Sequence, residues 1–312
     1  MLARIQQLIV LALVALTLGA PSLAVLYDAP AFWLIPIVIV GGYATVLAIE
    51  FWLLQRSYGP GDLERPTLNQ LAGAWAAEVA GSPRVFLWRQ PFRSGAEPDH
   101  MPAANARSPR GVLFVHGFLC NRGLWNPWMR RLRAAGVPFV AVNLEPVFGS
   151  IDSYSAIVDA AVRRLEHATD APPLIVAHSM GGLAVRAWLA EAPRSERFHR
   201  VLTIATPHAG TRIAHRGFGA NMAQMRSGGD WLARLLANEP ATLGARFVCF
   251  WSHCDNIVFP TRNATLPGAD NRHLIGAPHV QMVYHPAVFD EVVRLLDLSA
   301  RSAETATRRR SP

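Results

Sequence analysis

Lysine is absent from this chain of 312 residues; all 30 basic side chains are arginine, and the formal net charge is +8. That uniform choice points to genome composition rather than to a chemical requirement. A basic balance attracts anionic lipid or nucleic acid only in a general way. Zinc-finger spacing and any interleaving of aromatic with basic residues are both missing, so no nucleic-acid partner is expected. Cysteine is scarce: Cys120, Cys249 and Cys254 are too few for a disulfide framework. They fit a reducing compartment, where a free thiol behaves as a small buried hydrophobe. Internal repeats are also missing.

Charge is absent altogether from two stretches near the start. Residues 5–26, IQQLIVLALVALTLGAPSLAVL, and 31–49, AFWLIPIVIVGGYATVLAI, carry none, and the apolar run resumes after Glu50. Each is about the length that crosses the hydrocarbon core of a bilayer. Trp33 and Trp52 bracket the second run, as interfacial aromatics do. Arg4 precedes the first run, Arg56 and Arg65 follow the second, and the link YDAP has no arginine. The positive-inside rule then puts both ends in the cytoplasm. The expectation is a membrane anchor at 1–55, with transmembrane helices at about 5–26 and 31–54, in the inner (cytoplasmic) membrane with the large domain facing the cytoplasm. A rival reading has a signal peptide cut after Ala24, the second run then stopping transfer.

RSYGPGDLERP, residues 56–66, is turn-rich and reads as a linker. The main domain is expected at 67–298. Leu68, Leu71, Ala72, Trp75 and Val79 recur at helical spacing, with Gly81 placed to end the helix. RVFLWRQPF (84–92) reads as a strand and 93–110 as an exposed loop. Strands expected at 111–117, 139–146, 174–179, 201–207 and 246–252 alternate with helices at 125–136, 153–168 and 181–192. RHLIGA (272–277) holds the last strand, and Pro286 opens a last helix. Near-continuous apolar strands alternating with helices imply an α/β fold: a mostly parallel sheet with helices on both faces. The tail at 299–312 is basic and expected to be disordered.

Catalytic groups gather at the carboxyl ends of parallel strands. There lies AHSMGG: Ala177, His178, Ser179, Met180, Gly181, Gly182. A serine nucleophile between strand and helix needs small neighbours, usually as G-x-S-x-G, and Ala177 replaces the first glycine. A serine hydroxyl needs a histidine base oriented by a carboxylate. Asp255, in SHCDNIVFP after a strand, supplies the carboxylate. His279, in the loop of GAPHVQMVYHP, is the preferred base; His253, His273 and His285 are alternatives. The N–H groups of Met180 and of Phe118, in the HGF that ends the 111–117 strand, are expected to hold an oxyanion. Gly117 would let that loop turn tightly, and His116 would stabilise it.

Together HGF, AHSMGG, TIATPHAGT (203–211), SHCDNIVFP and the last histidine loop resemble the α/β-hydrolase superfamily, specifically bacterial lipases and esterases, over roughly 110–297. The resemblance implies an α/β-hydrolase fold, which the transmembrane hairpin expected from the apolar runs would precede. It also implies a Ser179–Asp255–His279 triad cleaving carboxylic esters through an acyl-enzyme, with a lipid or other apolar ester as substrate and the membrane as partner. Some relatives carry calcium; with no carboxylate near His279, no metal or other cofactor is expected. An acyltransferase or thioesterase on the same triad, and a non-catalytic membrane-tethered scaffold, are alternatives; oligomeric state is left open. Residues 209–245 are long for a crossover. They are expected to form either a cap over the acyl pocket or a helix on the sheet, with Met222, Met225, Trp231, Leu232, Leu235 and Leu236 as its apolar surface.

Overall fold

The apolar runs become six strands in a computed structural model that describes residues 1–59, 62, 64–102, 110–191 and 195–296. They are β1 (Val112–Val115), β2 (Phe139–Ala141), β3 (Leu174–His178), β4 (Val201–Ile204), β5 (Phe247–Trp251) and β6 (Asp270–His273). All pair in parallel in the order β2-β1-β3-β4-β5-β6. Successive side chains on a strand face opposite ways. Leu113, Val115, Ile175 and Ala177 therefore join one core, and Val112, Phe114, Leu174 and Val176 the other. Burial on both faces is what the unbroken apolar strands required. Only β6, with the sequence DNRH, is mostly exposed, as a polar edge strand.

Helices α1 (Leu2–Leu26) and α2 (Leu34–Ser57) come first, then α3 (Leu68–Pro83) and the short α4 (Gln90–Arg93). On the sheet lie α5 (Asn126–Ala134), α6 (Ser155–Thr169), α7 (Met180–Ala190) and α10 (Pro286–Leu295), while α8 (Ala220–Gln224) and α9 (Asp230–Ala237) belong to the connection between β4 and β5, with α9 against α7. Val158, Val162, Leu183 and Trp188 of α6 and α7 cover one face; Trp128, Met129, Val288 and Val292 of α5 and α10 cover the other. Segments Leu2–Leu26 and Pro30–Ser57 are long and apolar enough to cross a membrane, by length and composition. They pack together as a hairpin whose outer faces, including Leu11, Val14, Leu18, Ile37 and Val38, are exposed.

Two expectations fail. Residues 84–92 do not form a strand: α3 runs past Gly81 to Pro83 and continues as a π-helical turn, Arg84–Arg89, into α4. Aromatic and branched residues favoured a strand, but tertiary contacts override such preferences. Val85 fills the core, Gln7 of α1 donates to the Pro91 carbonyl at 2.6 Å, and Gly81 lies against the Gln281 side chain. Start signals were truer than the stop. Thr67 and Gln70 form a reciprocal capping box at the head of α3. The expected loop at 93–110 is tied down where it is described: Asp99 accepts from Arg122, Arg164 and the Ala141 N–H. Residues 103–109, and the tail expected at 299–312, lie outside the described residues.

Candidate active site

Ser179 joins β3 to α7 with φ 54° and ψ −129°. A left-handed φ is costly for a residue with a Cβ and persists only where its surroundings enforce it. Here they do. The Ser179 N–H donates to the Ile204 carbonyl at 2.8 Å, and its carbonyl accepts from Thr206 Oγ1 at 2.9 Å and the Gly182 N–H at 3.0 Å. The helix passes so close to the end of β1 that a Cβ on Gly181 would lie 2.6 Å from the carbonyl oxygens of Val115 and His116. A Cβ on Gly117 would lie 2.7 Å from that of Ser179. Ala177 is two residues back, inside β3 and in register with Val115 and Thr203, where a methyl fits.

Three segments far apart in sequence meet at Ser179. His279 Nε2 lies 3.1 Å from Ser179 Oγ, and His279 Nδ1 lies 2.9 and 3.1 Å from the two carboxylate oxygens of Asp255. Asp255 Oδ1 also accepts the N–H groups of Ile257 and Val258, both at 2.9 Å. All three side chains are buried. Burial opposes a charged imidazole at His279, but the Asp255 carboxylate and its hydrogen bond outweigh that, so its pKa stands above the ordinary value.

The other histidines separate by environment. His178 packs against the His279 ring, 4.8 Å between centroids, and burial pushes its pKa well down. His116 accepts the Leu144 N–H at Nε2 (3.0 Å) and has Nδ1 2.8 Å from the Gly117 carbonyl. Burial lowers its pKa to about 4, so it braces the loop as a neutral ring. His253 and His273 bond to each other at 2.7 Å, and His285 caps α10 through the Ala287 N–H. None of these three hydrogen-bonds to Ser179.

Met180 opens α7. The first N–H groups of a helix have no intrahelical acceptor. Phe118, Ser179, Met222, Met225, Ile257 and Val258 are among the walls of a pocket of about 200 Å³ at the serine. Its lining is almost entirely apolar. Phe118 continues outward through an aromatic run: Phe148 at 5.8 Å and exposed Phe218 stacked at 5.2 Å from Phe148. The 209–245 segment is split in role. Met222 and Met225 of its first part line the pocket, while Leu232 and Leu235 of α9 pack into the core beside α7.

Sequence reasoning missed Thr206, Asn256, Glu78 and Glu50. Asn256 Oδ1 accepts the His279 N–H at 3.2 Å, and Glu78 Oε1 accepts the Val280 N–H at 3.2 Å. Thr206 and Asn256 sat inside stretches already singled out; the two glutamates gave no signal beyond being charged residues on apolar helices.

A parallel sheet with a strained serine at the carboxyl end of its third strand, hydrogen-bonded to a buried histidine, defines a hydrolase-type architecture. The chain belongs to the alpha/beta hydrolase family, whose model matches residues 112–303. Among solved structures, the mature lipase BlEst2 of Bacillus licheniformis is 18% identical, with a TM-score of 0.55 over 64% of this chain and 96% of that one. Lipase B of Aspergillus fumigatus is 16% identical, with a TM-score of 0.51 over 61% of this chain and 53% of that one. At these identities the likeness is one of fold. A search of curated proteins gives no match.

Proposed function

We propose that this chain is a membrane-anchored serine hydrolase that cleaves carboxylic esters of apolar acyl groups. The observation that carries the reading is the continuous hydrogen-bonded run from Asp255 through His279 to Ser179, ending in an apolar pocket. His279 takes the Ser179 proton as the oxygen attacks the acyl carbon, and Asp255 holds the imidazole's tautomer and orientation. The Phe118 and Met180 N–H groups receive the oxyanion. The proton passes to the departing alkoxide, leaving an acyl-enzyme. Water, deprotonated by His279, then releases the acid.

Whole-ligand pockets usually span about 300–1,000 Å³. A pocket of about 200 Å³ fits one acyl chain, with the alcohol portion outside it toward Phe148 and Phe218. Methionine walls suit flexible chains. The hairpin's exposed apolar faces support a membrane anchor. Gln6 and Gln7 bond to Gln90 and Pro91, which supports an α1 retained with the domain rather than cleaved.

The test uses the full chain in detergent micelles with p-nitrophenyl esters of increasing length. Hydrolysis is expected, with Ser179→Ala inactive and a fluorophosphonate labelling Ser179 in the wild type. Unlabelled, inactive wild-type protein with an intact fold would favour a scaffold. Faster turnover with thioesters, or acyl transfer to added alcohols, would favour the thioesterase or acyltransferase reading.

A further inference from the structure

Glu50 lies on α2 within the second apolar segment, and its carboxylate turns to the domain. Its Oε2 accepts from Nδ2 of Asn256 at 2.7 Å. Asn256 is buried beside Asp255, and its Oδ1 accepts the backbone N–H of His279 at 3.2 Å. One side-chain amide therefore joins α2 to the residue whose imidazole faces Ser179. An ionisable group on a helix of this apolarity is costly unless it is paired, and it marks function by default. While ionised, Glu50 only accepts hydrogen bonds, so it dictates which way the Asn256 amide points. The Nδ2 goes to Glu50, and Oδ1 is left for His279.

Neighbouring contacts act on the same two loops. Tyr58, just past α2, donates to the His253 carbonyl at 2.7 Å. Phe51 and Leu54 of α2 pack with Cys254 and Phe259. Tyr43 donates to the Glu78 carbonyl at 3.2 Å, and Glu78 in turn holds the Val280 N–H.

We propose that Glu50 is a positioning residue: through Asn256 it fixes the backbone of His279 and so the aim of the imidazole at Ser179. The second apolar helix is then part of the active site as well as a tether. This rests on the roles proposed for Ser179 and His279. Misplacement of a catalytic group by an ångström can cost about a hundredfold in rate.

The experiment is saturation kinetics of p-nitrophenyl ester hydrolysis by the full chain in micelles. At a pH alkaline enough to keep both groups ionised, Asn256→Asp sets two carboxylates face to face. It is expected to lower kcat about tenfold or more, with KM within about twofold. Adding Glu50→Gln to that variant restores a hydrogen bond with donor and acceptor exchanged, and kcat is expected to return to within about threefold of wild type. A double variant no better than Asn256→Asp, or an Asn256→Asp variant with wild-type kcat, overturns the proposal. If Asn256→Asp does not fold, Glu50→Gln and Glu50→Leu carry the same test. The glutamine keeps an acceptor and is expected to exceed the leucine variant about tenfold in kcat; equal values overturn the relay. Ser179→Ala separates the two readings. Wild-type activity in Ser179→Ala defeats the catalytic reading itself, whereas an inactive Ser179→Ala with an unrescued pair defeats the relay alone.

Discussion

Asp255 and His279, 24 positions apart, share a hydrogen bond of 2.9 Å that raises the imidazole pKa against the pull of burial. As the proposed base, His279 works only when neutral, so activity is expected to be lost as pH falls through that raised pKa. The acidic limb of kcat/KM is therefore expected above the ordinary histidine value. Asp255→Asn removes the leading cause of the rise and leaves desolvation, so the limb moves to lower pH while kcat falls by about 10⁴-fold. Glu78 and Glu50 also favour the protonated ring, so some upward pull remains. A pH–rate profile of the two proteins checks this; an unmoved limb would assign it to another group.

Choice of histidine gives a second expectation. His279→Ala abolishes turnover. His285→Ala retains it and costs at most about 1 kcal/mol of stability, because that ring only caps α10. Steady-state rates and urea unfolding of both variants decide the point.

Gly181 has no room for a methyl, since the obstructing atoms are backbone carbonyls of Val115 and His116. Backbone cannot rotate aside, so Gly181→Ala should strain the elbow by about 1–3 kcal/mol. A lowered denaturation midpoint together with lowered kcat is the expected outcome.

Met222→Phe is expected to shorten the acyl chain accepted. The side chain lines the small apolar pocket, and each methylene excluded is worth about 1–3 kcal/mol in discrimination. Comparing kcat/KM across an ester series reads the shift; an unchanged optimum would put the acyl chain elsewhere.

Arg186 and Glu239 form a two-pronged buried pair at 2.7 Å that ties the latter part of the 209–245 segment to α7. Glu239→Ala leaves the guanidinium buried without its carboxylate and should cost about 3–5 kcal/mol. Joint replacement, Arg186→Met with Glu239→Leu, should cost much less. Denaturant unfolding of the single and double variants measures the difference.

Strand positions were readable because a doubly buried parallel strand has an unmistakable local signature, as in Val112–Val115 and Leu174–His178. The elbow was readable for a related reason. Its small residues, Ala177, Gly181 and Gly182, fall close together in sequence, although the atoms that exclude a Cβ at the two glycines belong to Val115, His116 and Thr206. Residues 84–92 were misread because their apolar content fits strand or helix equally, and α1 packs across them in the helical form.

The sequence by itself determined the alternation of strands and helices, the two uncharged apolar stretches at 5–26 and 31–49 and the small-residue pattern around Ser179, all of which are legible as local composition and periodicity. Loop placement in the sequence favoured His279 among the histidines but left three alternatives, and the tertiary structure decided which histidine reaches Ser179. Four candidates carry the same imidazole, and only the loop's path brings His279 within 3.1 Å of the serine oxygen. It also decided that Glu50 meets Asn256, 206 positions away. Contacts at such separation depend on how whole layers pack, and no local pattern encodes them.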